Sequence, residues 1–173
     1  METHVLRIFQ RETERQCKFA IIAVEDMNKA LQIADTDRLW YSIQAFLVAA
    51  GNVSKLLWPS SPQIPERAEE LKESLGVSED SPLVPRTFRN HFEHFDERLE
   101  NWANTSKRQN FVDSNVGPTG MIPGIEPQDY LRNFDPSKAT VTFRGDEYQL
   151  QPIVNAILEL HRRATIEASQ PIT

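Results

Sequence analysis

Cysteine is nearly absent from this 173-residue chain: Cys17 stands alone, so it forms no intrachain disulfide and has no companion for a cysteine-based zinc site. Long apolar runs are missing too. The longest candidate, 40–58, is interrupted by Ser42, Gln44, Asn52, Ser54 and Lys55, short of the roughly 18 apolar residues a membrane-spanning helix needs. The opening Met-Glu-Thr-His is polar and carries no apolar stretch of signal-peptide type, so the expectation is an unexported protein in the cytoplasm. Positive charge is in deficit, with 19 Lys and Arg against 25 Asp and Glu, a net charge of −6. This argues against bulk non-specific nucleic-acid binding, which runs on Lys and Arg displacing counterions, but leaves room for a small local basic site. Glycine is scarce at six residues. There is no phosphate-cradling glycine loop, no His-Glu-x-x-His, no Gly-x-Ser-x-Gly and no calcium loop.

What is present, 39% hydrophobic and 25% charged residues, is the balance of one globular domain with an apolar core. Apolar residues recur at helical spacing from Val5 to Ala34. Ala34-Asp35-Thr36-Asp37 then offers capping oxygens and breaks the chain. A second helix is expected up to Trp58, ended by Pro59, and a short one over Glu66–Leu75 with Gly76 just past its end. A fourth opens at Ser81-Pro82 or Pro85 and continues through Trp102. Its Phe88, Phe92, Phe95, Leu99 and Trp102 form a packing seam at alternating spacings of four and three. The Gly- and Pro-rich stretch 105–128 has no periodicity and reads as one long loop. Strand signals follow at Tyr130–Phe134, Thr140–Phe143 and Glu147–Leu150, the last two flanking a turn at Arg144-Gly145-Asp146. A final helix covers about Pro152–Ala168. The expected fold is mainly α: an antiparallel helical bundle over 1–104, the loop 105–128, and a small β-hairpin with a C-terminal helix over 129–173 packing on the same domain.

The chemistry-bearing residues gather in Arg86–Arg98. On an ideal helix Asn90, His94, Glu97 and Asn101 fall opposite the aromatic seam, with Arg89 about 140° round from His94. Arg89-Asn90-x-x-x-His94, an Arg-x4-His pattern with a polar residue directly after the Arg, resembles the motif of the HEPN superfamily (higher eukaryotes and prokaryotes nucleotide-binding). The two long helices before it are similar to that fold, and the resemblance covers roughly the first 104 residues.

The resemblance implies a homodimer whose motif faces meet across a two-fold axis, with an RNA substrate and, in toxin–antitoxin or phage-defence settings, an antitoxin protein as partner. It implies a metal-independent endoribonuclease without a cofactor. His94 would assist proton transfer at the 2′-hydroxyl or leaving oxygen, Arg89 would steady the charge on the phosphoryl group, and Asn90 would help hold the site. Imidazole and guanidinium suit those tasks. In toxins paired with MNT-type nucleotidyltransferase antitoxins the motif continues His-x-Tyr; here that position is Asp96, which removes tyrosine modification there. Glu93, Asp96 and Glu97 also crowd the motif with negative charge. The alternative is a catalytically inactive HEPN-like dimer that binds a nucleotide or a partner protein. A helical interaction protein in which Arg89 and His94 have no task is the third reading.

Overall fold

The computed structural model describes residues 1–85, 94–106 and 110–171. Five α-helices and a four-stranded sheet lie among them: α1 (Thr3–Gln32), α2 (Thr36–Leu57), α3 (Arg67–Ser74), α4 (Phe95–Thr105), β1 (Asn115–Val116), β2 (Arg132–Asp135), β3 (Thr140–Phe143), β4 (Asp146–Gln149) and α5 (Leu150–Ser169). The chain divides into two compact units, Met1–Arg86 with Pro152–Thr173, and Thr87–Gln151.

The first unit is helical. α1 buries Cys17, Ala20, Ala23, Met27 and Ala30 at spacings of three and four, a stripe of mostly small side chains that lets α2 approach closely. α2 fills the gap with Leu39, Trp40, Ile43, Phe46, Val53 and Leu57. Between the two helices Ala34 takes a left-handed φ of 54°, and the Asp35 carboxylate accepts from the Arg38 amide at 2.9 Å. The break anticipated from Ala34–Asp37 is therefore a genuine N-cap. A polar thread joins α1 to α3: Arg7 donates to Gln10 at 2.9 Å, and Gln10 donates to Ser74 Oγ at 3.1 Å. Buried Arg67 donates to the Leu56 carbonyl and lies over the Phe9 ring at 4.7 Å. Past α3, Gly76 has φ +60°, and a Cβ there would come within 2.8 Å of Arg163 Nη1. Arg163, on α5, donates to the Leu75 and Gly76 carbonyls, so this glycine answers both a backbone and a space requirement.

The second unit is a sheet with one helix. The strand order is β1-β2-β3-β4, with β1 parallel to β2 and the other pairs antiparallel. The β3–β4 turn is the two residues Arg144 (φ 48°) and Gly145 (φ 92°), both left-handed as a tight hairpin demands. Trp102 of α4 packs with Leu131 and Phe143, with Phe95 and Tyr148 at the edge. Its indole Nε1 donates to the Asp129 carbonyl at 3.2 Å, and Phe111 meets the ring edge-on at 4.8 Å.

The helix expected from Ser81 or Pro85 through Trp102 is present from Phe95 onward; the structure corrects a start at Ser81 and continuity at His94, and 86–93 lie outside the described residues. Ser81–Pro85 is turn and irregular chain, and His94 has φ −113° and ψ 44°, outside the helix that starts at Phe95. Pro85 disfavours helical conformation at Val84, while Asp96 and Glu97 suit the first turn of a helix that begins after His94. Of the aromatic seam, Trp102 is buried, Phe95 is half-buried and Leu99 is 40% exposed; Phe88 and Phe92 lie outside the described residues. The loop 105–128 is also not structureless: it holds β1 and a bridge from Val112 to Tyr130.

Candidate functional site

Of the three site residues read from the sequence, Arg89 and Asn90 lie outside the described residues, and His94 is placed. Its side chain is 55% exposed, at the N-cap of α4, with Nδ1 3.5 Å from Glu97 Oε1. Nδ1 is the ring nitrogen nearer Glu97, and both side chains are exposed. The His94 side chain makes no capping bond to the first amides of α4. Its carbonyl accepts from Arg98 N at 3.1 Å, which ties the residue to the helix it precedes. Asp96, Glu97, Arg98 and Glu100 are all exposed, so the surface beside the imidazole is acidic overall.

The helix face expected to meet a partner chain is in part already occupied. Arg144, from the β3–β4 turn, donates to Asn101 Oδ1 and, at 2.8 Å, to Thr105 Oγ1. On α4 these two residues lie on the same side as His94, two to three turns further along. Sequence reading took Arg144 for a turn residue only. Its contact with residues 39 and 43 positions away has no local sequence signal, though a non-glycine at the first position of a tight turn was a clue to an added role. A second cation, Arg132, is committed elsewhere: it grips the Asp113 carboxylate with Nε and Nη2 and stacks over Phe95 at 5.0 Å.

Other reactive groups are structural. Cys17 is buried, and burial first, then the Glu14 charge, push its thiol up to about 12, so it stays protonated and unreactive near neutrality. In the helical unit, buried Lys72 donates to Glu69 at 2.8 Å and also to Glu79, which accepts from Trp58 Nε1 at 2.9 Å. These bonds hold the lysine above its ordinary value and Glu79 below. His4 is exposed beside Glu2, and His161 is half-buried. Among the described residues, no three His, Cys, Asp or Glu side chains converge as a metal site would require, and no helix is long and apolar enough to cross a membrane. No protein-family model matches the chain, no curated protein matches its sequence, and no solved structure matches its fold.

Proposed function

We propose that the protein is a HEPN-like, metal-independent endoribonuclease that acts as a homodimer, of the toxin–antitoxin or phage-defence kind. The observation that carries this reading is the His94 imidazole: exposed at the head of α4, with Nδ1 toward Glu97. In the proposed reaction the imidazole removes the proton from a ribose 2′-hydroxyl. That oxygen then forms a bond to the adjacent phosphorus as the bond to the 5′-oxygen breaks, the 5′-oxygen takes a proton from water, and a 2′,3′-cyclic phosphate remains; the imidazolium then returns its proton to solvent. Arg89 would bind the non-bridging oxygens with its planar fork and Asn90 would hold the scissile segment. Glu97 is a positioning residue that orients the ring.

The exposed carboxylates Asp96, Glu97 and Glu100 oppose an approaching phosphate; of the second reading, a silent HEPN-like dimer that holds a nucleotide or a partner protein, they favour the partner protein. Cleavage of single-stranded RNA in EDTA decides between the two. On the ribonuclease reading the wild type cuts, His94→Ala loses about 10²–10⁴-fold in rate, and Glu97→Gln loses less. RNA left uncut by a dimeric wild type selects the silent dimer. Equal rates for wild type and His94→Ala overturn the assignment of His94.

A further inference from the structure

The helical unit carries a charged groove that the proposed reaction does not use. Of about 550 Å³, it lies between α1 and the C-terminal end of α5. Arg11, Arg15 and Lys18 stand along its α1 side, one helical turn apart in succession, followed by Phe19 and Ile22, which are 49% and 45% exposed. Arg15 pairs with Glu12 at 3.0 Å, whereas Arg11 and Lys18 have no ion-pair partner among the described residues. Glu14 is the one acid in the lining, and its carboxylate sits 3.5 Å from Thr165 Oγ1. A groove of three cations over an apolar bed is out of character for a chain of net charge −6. It calls for an acidic, partly apolar occupant.

The chain itself owns such a segment. One side of α4 presents Asp96 and Glu100, one turn apart, beside Leu99 and Ala103, all exposed. This side lies roughly opposite the one that Arg144 holds through Asn101 and Thr105. We propose that α4 of a second copy docks into the α1/α5 groove, Asp96 and Glu100 against the groove cations and Leu99 against Phe19 and Ile22. Four residues of helix span about 6 Å, so the two carboxylates are spaced like Arg11 and Arg15. Reciprocal exchange of α4 gives a closed two-fold dimer with both contacts made twice. This interface uses the side of α4 opposite the motif face through which the HEPN resemblance would join two copies, so it goes beyond that reading and does not depend on His94 being catalytic.

Charge exchange tests it on the full chain. The groove variant Arg11→Glu/Lys18→Glu and the helix variant Asp96→Lys/Glu100→Lys each set like charge against like. Each is expected to sediment as a monomer at tens of micromolar, where the wild type is a dimer. Mixed together, acidic groove meets basic helix and basic groove meets acidic helix, so heterodimer is expected, which also certifies both variants as folded. A second measurement needs no variant: raising salt from about 0.1 to about 1 M, which cuts the screening length from about 10 to about 3 Å, should weaken wild-type association roughly tenfold. A monomeric wild type in low salt overturns the proposal. So do variants that dimerise as tightly as the wild type, folded variants that stay monomeric when mixed, and association indifferent to salt.

Discussion

At the residue scale, exposure separates groups with work to do from groups that hold the fold. Cys17 and His94 are the two side chains of ordinary nucleophile or base chemistry that the sequence made worth weighing. One is sealed in the α1 stripe and the other stands in solvent. Burial pushes the Cys17 thiol up to about 12, so a disulfide-exchange reagent at neutral pH should label the native protein very slowly and the unfolded chain at the rate of a free thiol. Rapid native labelling would mean that α1 opens readily. Gly76 is the glycine with a double demand, φ +60° and Arg163 Nη1 2.8 Å from where a Cβ would stand. Gly76→Ala should therefore cost about 1–2 kcal/mol from the left-handed backbone alone, more if Arg163 must release its carbonyls, read as a lower denaturation midpoint.

At the element scale, what was legible in the sequence was local. Asp35 reads as a cap because the bond it accepts is three residues away, and Gly76 reads as a helix end because its φ is its own. α1 and α2 are long enough for periodicity to place them within two or three residues. What failed was non-local. Within the described part of the aromatic seam, Phe95, Leu99 and Trp102, the spacing suggests equal packing, yet of these three only Trp102 is buried, against Leu131 and Phe143. β1 is two residues long, too short for alternation to show, and its parallel partner lies 18 positions on. The Arg144 bonds to α4 likewise cross dozens of residues. The difference within the seam is measurable: Trp102→Ala should cost about 3–5 kcal/mol, whereas Leu99→Ala, 40% exposed, should stay within about 1 kcal/mol. Equal costs would mean that Leu99 is packed as tightly as Trp102.

At the scale of the whole molecule, the acidic balance shapes both stability and function. Hydrogen bonds from Arg162 and Arg163 bring the Glu159 carboxyl from an ordinary 4.5 to about 2. Lys72 and Trp58 lower Glu79 in the same way. Carboxyls depressed in the folded state bind protons more readily when unfolded, so their stabilisation is complete above about 4.5 and disappears as pH falls toward 2. The urea midpoint should hold level above that window and decline through it, and Glu159→Gln should flatten part of the decline. The candidate site was legible in the sequence as a motif, Arg89-Asn90 and His94, and the Glu97 contact as an i,i+3 neighbour on the same helical face; that α4 begins only after His94 was not legible, because no periodicity announced it. The central claim is that His94 removes a 2′-hydroxyl proton without a metal. It is tested most directly by determining the new 3′ ends of RNA incubated with the protein in EDTA. The account predicts 2′,3′-cyclic phosphate from the wild type and almost none from an equally stable His94→Ala; 3′-hydroxyl ends, or the same cyclic ends from both proteins, would contradict it.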